Sequence, residues 1–151
     1  MPITRRDLII AASAAAAACS IGALAQAPHP VIGPSVFEYG ALPAQKTDVG
    51  EIRNVARGPT ATLEELEIHV STLNPGLASH PPHRHPNEEL VIIDRGNVEV
   101  LSGGTWRAAG PGSIVFNASN SLHALRNVGA TPATYHVINF RTAATPRGAG
   151  E

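Results

Sequence analysis

Three residues between positions 83 and 89 carry side chains that could bind a metal ion. His83 and His85 are separated by one residue, and Glu89 follows His85 by four positions. Side chains alternate between the two faces of a β-strand, so a strand over 83–93 would direct all three toward one point. Imidazole nitrogen and carboxylate oxygen are donors that borderline transition metals favour. The spacing therefore predicts a metal site, with His123 as the fourth ligand.

The residues around these ligands form a two-part pattern of glycines and polar side chains. The first part consists of Gly76, His83, His85, Glu89 and Gly96. The second part consists of Gly112, His123 and Asn127. This layout resembles the two motifs of the cupin superfamily, over roughly residues 76–127. Its main departures, Ser113 and Ala118, replace the acidic residue and the proline usual there, and neither position holds a ligand.

The resemblance implies a fold, a ligand set and a cofactor. The fold would be all-β, a single-domain cupin-type antiparallel β-barrel (jelly roll). One divalent transition metal ion would lie inside the barrel, and its ligands would be His83, His85, Glu89 and His123. Fe, Mn, Ni, Cu and Zn all suit this donor set, and the sequence does not distinguish among them. In the alternative interpretation, the histidines only pack or face solvent on a barrel.

The rest of the chain fits an all-β domain. Glycine (14) and proline (13) are plentiful, as expected of short strands joined by turns, and no long helical period is present. We predict an extended N-terminal arm over 28–60, a barrel over 61–142 and a flexible tail over 143–151. The predicted strands cover residues 65–73, 83–93, 98–101, 105–108, 113–117, 121–127 and 134–141.

Residues 1–27 resemble an export signal. Paired arginines, Arg5 and Arg6, precede two apolar residues and an alanine-rich stretch, as in twin-arginine signals. A periplasmic or secreted protein with no membrane contact after signal cleavage is therefore expected. Two alternatives are an uncleaved membrane anchor and lipidation at Cys19, although Ala16 stands where a lipoprotein box would have leucine.

Composition limits the partners. A net charge of −1 and 4% aromatic residues give neither the basic field nor the stacking platform of a nucleic-acid-binding protein. The absence of a clear arginine clamp gives no indication of a strongly anionic substrate, so a small-molecule ligand is favoured. Leu90 and Ile92 have the opposite parity to Glu89. A homodimer formed through the outer sheet face would cover them.

Several functions suit such a site. The main hypothesis is a metal-dependent enzyme, of dioxygenase-like (oxygenase) type, acting on a small organic molecule. The alternatives are a non-catalytic periplasmic cupin that binds a metal or small ligand, and a Lewis-acid isomerase or lyase.

Other polar residues have weaker indications of a role. His80 precedes the first ligand by three residues, and it is a candidate for positioning ligands or transferring protons at the barrel mouth. A solvated loop histidine is the alternative. For His69 and His136 we expect satisfied polar contacts rather than a role, and for Asn127 a structural one. Arg84 and Arg126 are expected at the surface.

Overall fold

In the computed structural model, residues 30–147 are described, and they form β-strands with one short 3-10 turn at Tyr39–Ala41. The predicted export signal and the last four residues of the predicted tail lie outside the described residues. The strands are β1 Gln45–Thr47, β2 Gly50–Gly58, β3 Glu65–Leu73, β4 Glu88–Arg95, β5 Val98–Ser102, β6 Thr105–Ala109, β7 Ile114–Asn117, β8 Ala124–Asn127 and β9 Ala133–Arg141. Within 30–147, no helix has the length and apolar character needed to cross a membrane.

The strands form two antiparallel sheets around one interior. The larger sheet has the order β1-β2-β3-β9-β4-β7, and the smaller has the order β6-β5-β8. Val91 and Val137 of the larger sheet share a buried hydrophobic cluster with Val100 and Leu125 of the smaller one. The prediction of an all-β antiparallel barrel is confirmed.

Strand β4 shows the alternation that its sequence predicts. Glu89, Val91 and Ile93 face the interior with 9%, 4% and 1% exposure, whereas Leu90 and Ile92 face outward and are half-buried. The odd positions of this strand therefore build both the core and one wall of the site.

Strand β3 turns polar side chains toward the interior. His69 and Ser71 line the central cavity, and Leu73, which has the same parity, is buried at 1% exposure. The interior is thus apolar at one end of this strand and polar at the other.

The structure corrects the predicted start of the ligand-bearing strand. β4 begins at Glu88, so His83 and His85 lie on the preceding loop. Pro86 stands between them and the strand, and proline supplies no backbone N–H to a sheet ladder. The shared direction of the two imidazoles is therefore set by the loop and not by strand alternation.

The segment predicted as an N-terminal arm contains two strands of the larger sheet. β2 pairs with β3 from Gly50 opposite Leu73 to Gly58 opposite Leu66. The register shifts between Asn54 and Ala56, which breaks the two-residue period. Residues 45–58 therefore belong to the sheet, and only 30–44 of the described arm precede it.

The buried side chain of Asn127 holds the end of β8 in place through hydrogen bonds. Its side-chain NH₂ donates to the carbonyls of Leu73 at 2.9 Å and Thr131 at 2.8 Å. Its Oδ1 accepts a hydrogen bond from Gly129 N–H at 2.9 Å. The residue is 1% exposed. A structural role is what this geometry supports.

Gly96 connects β4 to β5 in a conformation that requires glycine. Its φ is 84°, and a Cβ at this position would lie 2.7 Å from Cα and Cβ of the fully buried Ala133. We expect Gly96→Ala to lower the free energy of unfolding by about 2–5 kcal/mol, since left-handed backbone and overpacking both add to the cost.

Urea unfolding of Gly96→Ala and Gly103→Ala tests this expectation. Gly103 has a φ of 58° but no atom within 4 Å of an added Cβ, so only the conformational cost of about 1–2 kcal/mol remains. Equal losses in the two variants would contradict the steric argument.

Candidate metal centre

Two loops that carry predicted ligands are joined by their backbones. His83 N–H donates to the His123 carbonyl at 3.1 Å, and His123 N–H donates to the His83 carbonyl at 3.0 Å. Asn120 N–H donates to the His85 carbonyl at 2.8 Å. These bonds place the His83 and His123 rings 4.3 Å apart between centroids. The two parts of the sequence pattern therefore meet in space.

The four predicted ligands converge. One nitrogen from each of His83, His85 and His123 lies within 4.8 Å of the others. Glu89 approaches from β4, with Oε2 3.6 Å from His85 Nε2 and Oε1 3.8 Å from His123 Nε2. Such separations are close to those of donors that share one ion at about 2 Å each.

Backbone carbonyls orient two of the imidazoles. His123 Nδ1 lies 2.8 Å from the Ser121 carbonyl, and His85 Nδ1 lies 3.1 Å from the Asn87 carbonyl. A carbonyl only accepts, so each Nδ1 carries the proton, and each Nε2 keeps a lone pair directed at the site. This is the usual arrangement of metal-ligating histidines.

The donor set also fits an ion because it holds a buried atom that no protein group satisfies. Among the described residues, His123 Nε2 and His83 Nδ1 are buried without a hydrogen-bond partner. His123 itself is 4% exposed. Leaving such an atom unpaired costs about 1–3 kcal/mol, and coordination would remove that cost for His123 Nε2.

Glu89 is held in its ionised form. Asn117 donates to Oε1 at 2.7 Å inside the protein. Burial opposes ionisation of Glu89, but its interactions with His85 and Asn117 outweigh burial and lower its pKa. A charged carboxylate therefore stands beside the three imidazoles, as a divalent ion would require.

The histidines differ in their affinity for protons. Burial, reinforced by the neighbouring His80, lowers the pKa of His83 from 6.5 to about 4. The Glu89 carboxylate instead raises the pKa of His85 above 6.5. Of these two histidines, His85 binds a proton first as the pH falls, and His83 stays neutral over the same range.

We expect metal affinity to decline with acidity because His85 must lose its proton before it can bind an ion. The decline should begin above pH 6.5, the ordinary value for His85, because its pKa is raised. His83 should add no competition until the pH approaches 4. Competition titrations with Zn²⁺ between about pH 8 and about pH 5 measure this.

Glu89→Gln provides the comparison for this titration. Glutamine removes the carboxylate that raises the pKa of His85, so the decline should move to lower pH while overall affinity weakens. An affinity that stays constant across the whole range would contradict the assignment of His85 as a ligand.

The ligands lie on the wall of a cavity of about 360 Å³ between the two sheets. Part of its lining is apolar, from Val91, Val100, Val115, Leu125 and Val137. The polar part away from the ligands consists of Thr47, Glu51, His69, Ser71, Ser79, Tyr135 and Asn139. No lysine or arginine occurs among these lining residues. The volume suits a small organic molecule.

His80 lies at the mouth of the same cavity. Its ring centroid is 4.0 Å from that of His83 in an edge-on arrangement, and its Nδ1 is 3.3 Å from the Pro81 carbonyl. The residue is exposed. The geometry places it beside the ligands, and its role as a proton-transferring group stays a prediction.

Several cavity residues were not singled out by the sequence. Asn117 and Asn139 flank Glu89 across the larger sheet, opposite it on β7 and β9. Tyr135 faces the interior at 4% exposure. His69 was expected to have a satisfied polar contact, yet its Nδ1 is buried without a hydrogen-bond partner. The parity of β3, with Glu67, His69 and Ser71 on one face, was the available signal.

The arginines take surface positions. Arg126 pairs with Glu99 through Nε at 2.9 Å and stacks over the Trp106 ring at 4.2 Å. Arg84 is exposed and donates to the Asn120 carbonyl at 3.2 Å. Neither side chain lines the cavity.

Residues 69–139 match a family model described as a cupin domain. No curated protein sequence matches the chain significantly. Solved structures share the fold at low sequence identity. KdgF from Halomonas sp. has a TM-score of 0.60 and 18% identity, with 74% of this chain and 97% of that one covered.

Two further neighbours differ in the activities that their names give. A predicted oxalate decarboxylase from Thermotoga maritima has a TM-score of 0.56 and 16% identity, covering 71% of this chain and 99% of its own. A sugar phosphate isomerase of the cupin superfamily from Silicibacter pomeroyi has a TM-score of 0.57 and 17% identity, covering 72% and 76%. Residues 69–139 are therefore similar to a cupin domain, and the chain shares the antiparallel fold of these solved structures.

Proposed function

We propose that the protein is a metal-dependent enzyme of oxygenase type that acts on a small, neutral organic molecule. The observation that carries the proposal is the convergence of His83, His85, His123 and Glu89 on the wall of a cavity of about 360 Å³. Three imidazoles and one carboxylate leave one or two coordination positions for O₂ or for a chelating substrate.

The cavity charge favours a neutral substrate. Glu51 and Glu89 face the cavity, and the described lining has no lysine or arginine to compensate an anion. Lys46 and Arg53, which pair with Glu51 at 3.5 and 3.4 Å, do not line the cavity. A molecule such as oxalate or a sugar phosphate would find no cationic side chain there. Enols, phenols and thiols, which are neutral in solution and can bind a metal after losing a proton, fit better.

Within this proposal the chain positions the donors and supplies an apolar cavity wall. A redox-active ion would supply oxygen activation, whereas a redox-inert ion would polarise a carbonyl group. The backbone bonds between His83 and His123 fix two donors, and Asn117 fixes the Glu89 carboxylate. Val91, Val115 and Val137 give the cavity an apolar wall.

Metal analysis and oxygen uptake test the proposal together. Protein purified from its native host should contain iron, copper or manganese, and it should consume O₂ in the presence of a phenolic, enolic or thiol compound. A matched His123→Ala variant should neither retain the metal nor consume O₂. Zinc or nickel with turnover but no O₂ uptake would favour a Lewis-acid isomerase or lyase instead.

A tightly held metal without turnover of any compound in the panel would favour the non-catalytic binding protein. Export to the periplasm or the outside of the cell, and pairing into a homodimer, stay predictions. Ile114 and Phe116 on the outer sheet face are 68% and 52% exposed, which is compatible with such pairing.

A further inference from the structure

His69 lines the cavity and, together with the neighbouring Glu67, forms a polar pair that metal binding does not use. His69 lies on β3 and lines the cavity, and its side chain is only 16% exposed. Its Nδ1 lies 3.6 Å from Glu67 Oε1, in ion-pair range but too long for a direct hydrogen bond. Because Nδ1 is turned to the carboxylate, Nε2 on the opposite edge of the ring is left for the cavity.

A neighbouring buried atom indicates that a polar ligand belongs here. Asn139 lies opposite Glu67 on β9 and also lines the cavity. Its Oδ1 and His69 Nδ1 are both buried without a hydrogen-bond partner among the described residues. His69 Nδ1 is turned to Glu67, so Asn139 Oδ1 is the unpaired atom that a hydroxyl-bearing ligand in the cavity would satisfy.

We infer that His69 is the proton acceptor for a hydroxyl group of the ligand, and that Glu67 orients its ring and stabilises the resulting imidazolium. This inference rests on the proposed function, since it assumes a neutral chelating molecule. The ligand O–H bond breaks and its electron pair stays on oxygen. The proton forms a new N–H bond at His69 Nε2. The ligand becomes an anion while the protein gains one positive charge beside Glu67.

The surroundings of His69 suit this role. Burial lowers the pKa of His69, so the ring is neutral and able to accept a proton, while the Glu67 carboxylate acts in the opposite direction and favours the charged form. Besides the three converging histidines, the other titratable groups facing the same cavity are Glu51 from β2, Glu89 from β4, Tyr135 from β9 and His80 from the loop. The described lining has no lysine or arginine, so entry of a ligand that is already anionic would be unfavourable. A ligand that enters neutral and passes its proton to His69 within the cavity avoids this cost.

Proton counting on ligand binding tests the inference without turnover. Zinc-loaded protein is titrated with 4-nitrocatechol, whose absorbance reports its ionisation, by calorimetry in buffers of different ionisation enthalpy. The wild type should keep the proton. His69→Gln should release about one more proton per ligand to the buffer, and its affinity should rise about tenfold per pH unit. Glu67→Gln should fall between the two.

His136→Gln is the matched control, because His136 lies on β9 between Tyr135 and Val137 and points to the outer face of the same sheet. It should behave as the wild type, and all variants should retain zinc. If His69→Gln gives the wild-type proton count and pH profile, the inference is wrong while the proposed function stands. If His80→Gln alone changes the count, His80 and not His69 is the acceptor. If the zinc-loaded wild type binds no nitrocatechol, the chelating ligand class is wrong for both.

Discussion

Replacing His123 by alanine is expected to lower metal affinity by about 100-fold or more, beyond the range that loss of an outer hydrogen-bond partner causes. His123 is the most buried of the three imidazoles, and its Nε2 has no protein partner in the described chain. His83→Ala and His85→Ala should have similar effects. Elemental analysis and competition with a chromophoric chelator measure the loss.

Variants at nearby histidines distinguish the loss of a metal donor from a non-specific effect of substitution on the structure of the site. His80→Ala and His69→Ala should keep most of the metal, since neither belongs to the converging set. Glu89→Gln should weaken binding by a smaller margin than the histidine changes, because an oxygen donor remains while the charge is lost. Equal metal content across all these variants would refute the ligand assignment.

Replacing Asn127 by alanine is expected to lower the free energy of unfolding by about 3–5 kcal/mol, because three hydrogen bonds are lost at a position that water cannot reach. The carbonyls of Leu73 and Thr131 would each lose a donor, and Gly129 N–H would lose its acceptor. A loss of this size is a large share of the stability of an ordinary domain.

Thermal and urea unfolding of Asn127→Ala measure this loss, with Asn54→Ala as the control. Asn54 is an exposed residue on β2, and its replacement should change stability by about 0.5 kcal/mol or less. A stability loss below about 1 kcal/mol at Asn127 would show that its hydrogen bonds are replaced by water.

The sequence predicted the four converging residues, although the strand that it assigned to three of them begins too early. Alternation correctly placed Glu89, Val91 and Ile93 inside. It placed His83 and His85 on the same strand, whereas the loop that precedes Glu88 carries them. Their convergence depends on backbone pairing with residues near His123, and no local period can reveal pairing between distant segments.

Other features escaped prediction for physical reasons. Strand β2 was hidden because the irregularity between Asn54 and Ala56 interrupts its alternation. His69 was expected only to have a satisfied polar contact, because its sequence position gives no sign that this barrel encloses a cavity with polar walls. Asn127 was correctly given a structural role, although its three partners could only be seen in the folded chain.

The reciprocal pairing of His83 with His123 determines when the metal centre can exist. These residues are about forty positions apart in the chain, so four intervening strands must be in place before the imidazoles meet. A nascent chain that has emerged only as far as β5 would offer His83, His85 and Glu89 without the donor that completes the set. Selection of the ion therefore falls to the assembled protein, after synthesis, and whichever compartment completes the barrel also determines which metals compete for it.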